Sequence, residues 1–494
     1  MATFGVPQPA TPTGIAEAPE RALSSRAPCD NPAMLFVSHP DTYVAERRYV
    51  LDVVLSEFMG LAWEARLGGD ATEIALAGEQ AGARLTILDG LFATPAHAWL
   101  TPRSLPPTPL AHWQPPADQL APTLTEPDLP MLYWREPRSG AIVDVTGDRI
   151  TIGLDLFGSI FFQLTRYEEI ARPASDEHDR FPARASLAYR EGLLRRPLVN
   201  EYVELLRSAI ERLWPRIRTR RPAFEQRLSH DVDWPTHVDL RAFTVARSMV
   251  GDVARRGDAG LAVARLRAVG SRLRNTPTDD PYYSFDYIMD LSEERGLQSA
   301  FYFMAGRTDQ RFDGSYELDD PVISALIRRI HERGHEIGLH PSYGTFREPS
   351  LIRAERDTLV RACDRLGVSQ ERWGGRQHFL RWENPVTWRA WEQADLTYDS
   401  SLGYSRHPGF RCGTCYEYPV FDLLAHRRLS LRERPLVVMD MSVIDTDGVP
   451  HRSAIGIVNC LRERCRMFGG QFTLLWHNSR LASSRERRLY RSTI

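Results

Sequence analysis

The chain has 494 residues, 43% of them hydrophobic, and a formal net charge of −2, so it is long enough for two or three domains. The near-neutral charge gives no electrostatic case for a nucleic-acid or membrane partner. Every lysine-or-arginine position, 62 in all, is an arginine, which excludes chemistry that needs a lysine, such as a Schiff base or a Walker A site.

The first 33 residues are rich in alanine, proline and serine and lack the apolar stretch of a signal peptide. No later run approaches the ~20 apolar residues that a membrane-spanning helix needs. We therefore expect a disordered leader over residues 1–33, no transmembrane segment and a cytoplasmic protein.

Residues 34–215 predict a smaller α+β domain. Nine prolines between Thr101 and Pro130 predict an extended surface loop, because proline interrupts both helices and central strands. Around this loop, apolar spacing predicts strands from Met34 and over 84–88, a hairpin over 141–152, and helices over Tyr49–Leu61, Leu156–Ile170 and Leu198–Leu213. The arginine-dense stretch Arg216–Pro222 is the best candidate for a domain boundary.

Residues 223–494 predict a second, α/β domain in which strands and helices alternate. This alternation is typical of βαβ units and a mostly parallel sheet, either open or closed into a barrel. The predicted strands are Arg227–Val232, Gln298–Met304, Glu336–His340, Arg372–Phe379, Leu436–Val443 and Phe472–His477. The predicted helices are Phe285–Arg295, Pro321–Arg333, Leu351–Leu366, Asn384–Ala394 and Ala454–Phe468.

The stretch Leu240–Arg274, after the first of these strands, carries eight arginines among small apolar residues. One interpretation is a pair of surface helices that line the mouth of a site. The other is a docking surface for acidic lipid or polyanionic glycan.

Carboxylates and histidines stand at the ends of three predicted strands. Asp231 and Asp233 end the first strand, while His340 and His477 end two later ones. Because the carboxyl ends of parallel strands meet at one edge, these side chains should converge. Such a group is typical of a metal-assisted hydrolase.

Several segments resemble, in chain order, the motifs of the polysaccharide deacetylases (carbohydrate esterase family four). They are Ser229-His-Asp-Val-Asp233, Gly334-His-Glu-Ile-Gly-Leu-His340, Arg376, Tyr398-Asp399-Ser-Ser and Leu474-Leu-Trp-His477. The resemblance covers roughly residues 226–477 and implies a distorted (β/α) barrel with a divalent metal, zinc as first choice. The segment Asp155-Leu-Phe-Gly-Ser-Ile-Phe-Phe resembles a poorly understood domain that precedes certain deacetylase-like bacterial proteins.

The resemblance implies catalytic roles for four side chains. Asp231 would be the general base and His477 the general acid that protonates the departing amine. Arg376 would orient a catalytic carboxylate by pairing with Asp231 or Asp399. The backbone near Phe379 would donate to the oxyanion.

The resemblance also implies Asp233 and His340 as metal ligands, but the position of the family's next histidine is Gly344. The site must therefore recruit another donor, bind metal weakly through two ligands, or bind none. His378 is the best substitute by chemistry. Weaker candidates are His230 and His237.

For the substrate, Arg411, Trp373 and Trp382 are candidate contacts, whereas Trp388 and Trp391 fit a helix core. The leading hypothesis is a metal-dependent amide hydrolase that deacetylates an N-acetylated sugar or polysaccharide precursor. The alternative is a catalytically silent glycan-binding or scaffold protein that keeps the fold.

Overall fold

The computed structural model describes residues 34–78, 82–116, 119–236, 280–444 and 451–494. The predicted leader over 1–33, the arginine-rich stretch Leu240–Arg274 and the candidate ligand His237 lie outside these residues. No helix within the described ranges is both long and apolar enough to cross a membrane.

The N-terminal half is built on a six-stranded mixed sheet. Its strands are β1 (Met34–His39), β2 (Ala62–Leu67), β3 (Thr72–Leu76), β4 (Arg84–Ile87), β7 (Val143–Thr146) and β8 (Arg149–Ile152), in the order β2-β1-β3-β4-β8-β7. The predicted hairpin is confirmed by the antiparallel β7–β8 pair. Within the proline-rich stretch, β5 (Ala111–Trp113) pairs with β6 (Leu129–Met131), so this predicted loop contains a small sheet.

In the part of this half that the structure describes, five α-helices accompany the sheet: α1 (Val44–Leu51), α2 (Leu156–Leu164), α3 (Tyr167–Ala171), α4 (Leu187–Arg190) and α5 (Leu198–Leu213). A π-helical segment, Asp52–Phe58, continues α1. Every residue of α2 is buried, as expected for a helix that is apolar on all sides. The prediction of one helix over Leu156–Ile170 was wrong, because Arg166 adopts a left-handed conformation with φ 52° and separates α2 from α3.

The C-terminal half is a mixed α/β structure built on a nine-stranded sheet. Its strands are β9 (Glu225–Val232), β10 (Ser299–Phe303), β11 (Glu336–Leu339), β12 (Gly374–Gly375), β13 (Tyr398–Asp399), β14 (Tyr418–Asp422), β15 (Arg427–Glu433), β16 (Val438–Met439) and β17 (Gln471–Leu475). The order is β14-β15-β13-β12-β11-β10-β9-β17-β16, and the β14–β15 pair is the antiparallel one. Since these ladders leave β14 and β16 at the two ends within the described ranges, closure into a barrel stays a prediction.

Helices alternate with these strands, as the sequence predicted. They are α6 (Phe285–Glu294), α7 (Pro321–Glu332), α8 (Pro349–Arg365), α9 (Val386–Gln393), α10 (Asp440–Ile444), α11 (His451–Met467) and α12 (Ser484–Thr493). Local sequence explains the start of α7, where the Asp320 carboxylate accepts the backbone N–H of Val322 and Pro321 occupies the first turn.

Two predicted strands proved much shorter than expected. The strand over Arg372–Phe379 is reduced to β12, and beyond it the chain turns at Phe379 and Leu380, both left-handed with φ 59° and 56°. The strand over Leu436–Val443 is reduced to β16, because helix α10 begins directly at Asp440. Both changes place polar side chains at the carboxyl edge of the sheet.

Candidate metal centre

The carboxyl ends of neighbouring parallel strands bring the predicted residues together. Asp233 follows β9, which lies between β10 and β17, while His340 follows β11 and His477 follows β17. Parallel strands buried on both faces end at a common edge, so residues far apart in sequence share one site.

A possible metal-binding triad is formed by three of the residues predicted from the sequence: Asp233, His340 and His378. One ligand atom from each lies within 4.8 Å of the others. Asp233 Oδ1 is 3.1 Å from His340 Nε2 and 3.7 Å from His378 Nε2. The triad thus contains His378, the residue expected to replace the donor missing at Gly344.

Hydrogen bonds on the far side of each imidazole decide which nitrogen faces the centre. His340 Nδ1 lies 2.6 Å from the carbonyl oxygen of Arg376, and His378 Nδ1 lies 3.0 Å from Asp313 Oδ1. Because both oxygens accept, each Nδ1 carries a proton and each ring turns its Nε2 towards Asp233. Such outer partners are typical of histidines that ligate metals.

The donor set fits a divalent cation. Asp233 Oδ1 is buried and receives no well-directed hydrogen bond from the described residues, although two Nε2 atoms lie close to it. A carboxylate oxygen and two imidazole lone pairs that face one another repel unless a proton or a cation lies between them. Two histidines and one carboxylate are also a ligand set of catalytic zinc.

The short distances between these ionisable side chains also shift their pKa values. Burial favours the protonated form of Asp233. The interactions of its carboxylate with His340, His378 and His477 outweigh this effect and hold the pKa of the carboxyl far below its ordinary value. For His340, burial lowers the pKa, whereas the charges of Asp231 and Asp233 raise it, and the net shift is upward. Asp233 therefore keeps its negative charge, which is the form that binds a cation.

Asp231 is held by Arg376 beside the triad. Arg376 Nη1 donates to Asp231 Oδ1 at 2.8 Å, and its other nitrogens donate to the hydroxyl of Ser229 and to the hydroxyl and carbonyl oxygens of Ser400. Asp231 Oδ2 stays on the side of the triad, 3.9 Å from His340 Nε2. The arginine is fully buried, so this orientation is rigid.

On another side of the triad, His477 pairs with Asp440. The His477 ring Nδ1 lies 3.0 Å from both carboxylate oxygens, and its Nε2 lies 3.6 Å from Asp233 Oδ2. Burial alone would lower the pKa of His477, but the neighbouring Asp440 charge raises it to about 9. The ring therefore holds a proton at neutral pH and points it towards the triad.

Sequence reasoning missed Asp313 and Asp440, the two carboxylates that orient the histidines. Asp440 ends the apolar run Leu436-Val-Val-Met, the same pattern that singled out Asp231, but the predicted strand ran past it. Asp313 lies in the loop after β10, where it accepts backbone N–H groups from Thr308, Asp309 and Tyr343. No apolar periodicity marks that loop.

Other predicted site residues lie elsewhere. Asp399 Oδ1 accepts from the backbone N–H and the hydroxyl of Ser401 rather than pairing with Arg376. Burial raises the pKa of Asp399 to about 7. His230 is buried with Nδ1 at 2.6 Å from the carbonyl oxygen of Trp476, so it is not part of the triad.

The three predicted substrate contacts are not grouped with the triad. Arg411 is buried in an ion pair with Glu169 of the N-terminal half at 2.8 Å. Trp382 is 2% exposed and packs edge-on against Trp388, and Trp373 directly precedes β12, at the opposite end of the strand from the triad. A direct substrate role for these three residues stays a prediction.

Comparisons with known proteins give one family model and several solved structures. A family model described as a family of unknown function (DUF7033) matches residues 34–215. No curated protein sequence matches the chain.

Among solved structures, the chain is similar to a "putative polysaccharide deacetylase" from Mycobacterium smegmatis, at 17% identity and TM-score 0.35, over 56% of this chain and 83% of that chain. It is also similar to a "probable Polysaccharide deacetylase" from Pseudomonas aeruginosa PAO1, at 15% identity and TM-score 0.31, over 55% and 83% of the two chains. Puue allantoinase gives 13% identity and TM-score 0.31 over the same shares. These matches span little more than half of this chain.

Proposed function

We propose that the chain is a metal-dependent hydrolase that removes an acetyl group from an N-acetylated sugar or glycan precursor by breaking the amide C–N bond. One observation carries the proposal: a buried carboxylate, Asp231, and a histidine paired with a buried aspartate, His477, border the triad Asp233, His340 and His378. Asp231 Oδ2 lies 3.9 Å from His340 Nε2, and His477 Nε2 lies 3.6 Å from Asp233 Oδ2. A base and an acid beside one centre are what amide hydrolysis needs.

Asp233, His340 and His378 would hold the cation, and zinc is our first choice because it binds two imidazoles and one carboxylate in hydrolases. When bound, a divalent cation supplies Lewis-acid chemistry, since it lowers the pKa of water and polarises a carbonyl oxygen. The protein contributes the orientation of the donors through the carbonyl oxygen of Arg376 and the carboxylate of Asp313.

Asp231 is the proposed general base. One carboxylate oxygen is occupied by Arg376, so the other, which faces the triad, is available to take a proton from the attacking water. Arg376 cannot take that proton because a guanidinium stays charged, and its role is to position the carboxylate.

His477 is the proposed general acid. Its Nδ1–H is bound by the Asp440 carboxylate, whose charge stabilises the protonated ring, and its Nε2–H faces the triad. This proton passes to the amide nitrogen as the C–N bond breaks, so the sugar leaves as a neutral amine. The backbone near Phe379 stays our predicted donor to the oxyanion.

A catalytically silent glycan-binding protein is the second candidate, and the glycine at position 344 favours it. Binding alone does not require a carboxylate held by a buried arginine or a histidine charged by a buried aspartate. His378 also offers the lone pair that Gly344 lacks. We therefore favour the enzyme.

Metal analysis of untagged, full-length protein separates the two candidates. After loading with Zn²⁺ and removal of excess metal, we expect about one zinc per chain in the wild type and a clear loss in His340→Ala. The matched control is His97→Ala, because His97 is exposed and lies in the N-terminal half. Wild-type protein that binds no Zn²⁺, Co²⁺, Ni²⁺ or Fe²⁺ would reject the enzyme in favour of the scaffold.

Acetate release tests the chemistry. We expect the zinc-loaded protein to release acetate from at least one member of a panel of N-acetylated monosaccharides, nucleotide sugars and N-acetylglucosamine oligomers. Asp231→Asn should retain zinc and lose this activity. A zinc-loaded wild type that is inactive on the whole panel would contradict the proposed substrate class.

A further inference from the structure

Two consecutive residues with left-handed backbone conformations directly follow His378, the third donor of the triad. Phe379 and Leu380 have φ 59° and 56°, and neither is a glycine. At this turn the chain leaves the direction of β12, and the ring of His378 lies towards Asp233. Left-handed conformations of large residues persist only where the surroundings hold them.

Arg180, from the N-terminal half, holds this turn. Its Nη1 donates to the carbonyl oxygen of Phe379 at 3.0 Å. Its Nε donates to Asp176 Oδ2 at 2.9 Å, and Asp176 Oδ1 in turn accepts the backbone N–H groups of His178 and Arg180. The arginine therefore reaches the turn from a loop that its own ion pair keeps in shape.

Arg381, which follows the turn in the C-terminal half, makes a second connection between the two halves. Its Nε donates to the carbonyl oxygen of His178 at 2.9 Å and its Nη2 to Asp179 Oδ2 at 2.7 Å. Its Nη1 donates to the carbonyl oxygen of Tyr343, three residues after the ligand His340. One buried guanidinium thus joins the segment 176–180 to the loops that follow two of the three donors.

Aromatic packing completes the contact. The ring of His178 lies 4.7 Å from that of Phe379, and His178 Nδ1 lies 3.0 Å from the hydroxyl of Tyr343. Phe379 in turn packs edge-on against the ring of His378 at 4.7 Å. A chain of direct contacts therefore runs from the N-terminal half to the third donor.

We propose that the segment Asp176–Arg180 is a positioning element of the metal centre, in which Arg180 holds the turn that presents His378. The inference rests on the metal site of the proposed function. It gives the N-terminal half a part in building that site, so the C-terminal half alone would bind the cation more weakly. Arg180 acts through the peptide of Phe379 and does not touch the triad.

Titration of metal-free, full-length protein with Co²⁺, followed by visible absorption and by competition with a chelator, tests the role of Arg180. We expect Arg180→Ala to weaken Co²⁺ binding by about 10-fold or more, as loss of outer-shell support does at metal sites. Its cobalt spectrum should move towards that of His378→Ala. Arg180→Lys, which can still donate to Phe379, should recover part of the affinity.

Arg184→Ala is the matched control, because Arg184 lies shortly after that segment, is exposed, and has no side-chain hydrogen bond or ion pair within the described ranges. The double variant Arg180→Ala/His378→Ala should bind Co²⁺ no more weakly than His378→Ala alone, since both substitutions act on one ligand. Circular dichroism and thermal melting of each variant identify unfolding, and Asp176→Asn provides a second, milder way to release Arg180.

Wild-type Co²⁺ affinity in folded Arg180→Ala and Asp176→Asn would overturn the inference and leave the metal site intact. Additive losses in the double variant would overturn it as well. Failure of the wild type to bind Co²⁺ would instead reject the proposed function on which the inference rests.

Discussion

Asp440 binds His477 twice, accepting the backbone N–H at 2.7 Å and lying 3.0 Å from the ring Nδ1. The carboxylate is fully buried, so water screens its charge little. The pair therefore stabilises the protonated ring and fixes its orientation towards the triad.

Replacing Asp440 with asparagine should slow acetate release by about 100-fold, the low end of what general acid catalysis contributes. Asparagine keeps the shape and can still accept a hydrogen bond, but it removes the charge that stabilises protonated His477. The turnover number and the zinc content are the measurements, and zinc should stay near one per chain. Loss of zinc together with activity would show that Asp440 supports the metal site instead.

The sequence predicted the alternating architecture and the residues that end buried apolar strands, because both depend on local patterns. Asp233 and His340 follow such strands and lie in the triad, whereas His378, which also lies there, was chosen for the chemistry of its side chain. Asp313 and Asp440 could not be placed in the same way, since their roles depend on where strands stop and on a loop fold. The contact between Arg180 and Phe379 joins residues 199 positions apart, which no local pattern specifies.

Replacing Asp231 with asparagine should separate metal binding from catalysis. Zinc should remain, since the triad is intact, whereas acetate release should fall by at least about 100-fold because the base is gone. The change also leaves the Arg376 charge without its carboxylate partner in the interior, so the free energy of unfolding should fall by about 3–5 kcal/mol. Urea denaturation measures this loss.

Ser229→Ala is the control for Asp231→Asn, because it removes one hydrogen bond from Arg376 but keeps the ion pair. It should lower the free energy of unfolding by only about 1 kcal/mol. Acetate release at the wild-type rate in Asp231→Asn would contradict the assignment of Asp231 as the base.

Arg411→Ala should destabilise the protein, because Arg411 pairs with a buried carboxylate of the N-terminal half. The Arg411 side chain is 2% exposed and its partner Glu169 is 5% exposed. Glu169 keeps a second ion pair with buried Arg166, so the substitution removes one of its two charged partners and should cost about 1–3 kcal/mol of unfolding free energy. Arg406→Ala is the control, since Arg406 is 79% exposed and should change stability by less than about 1 kcal/mol. A stable Arg411→Ala protein with a raised KM would support the predicted substrate contact.

Asp399 and Glu433 are buried carboxyls at paired positions of β13 and β15. Burial raises the pKa of Asp399 to about 7, and burial together with the Asp399 charge raises the pKa of Glu433. Between the unfolded pKa of Asp399, about 4, and its folded pKa, the folded protein holds a proton that the unfolded chain has released. This contribution to stability is complete below about pH 4 and is lost as the pH rises through 7.

Asp399→Asn has no proton to lose at this position, so its stability relative to the wild type should increase from pH 4 to pH 8 by a few kcal/mol. Urea denaturation across this range gives the difference. Asp422→Asn is the opposite control, because ion pairing with Arg389 outweighs burial and lowers the pKa of Asp422. That variant should be destabilised at neutral pH, with the deficit vanishing in acid, and a pH-independent difference for Asp399→Asn would show that its carboxyl does not titrate in this range.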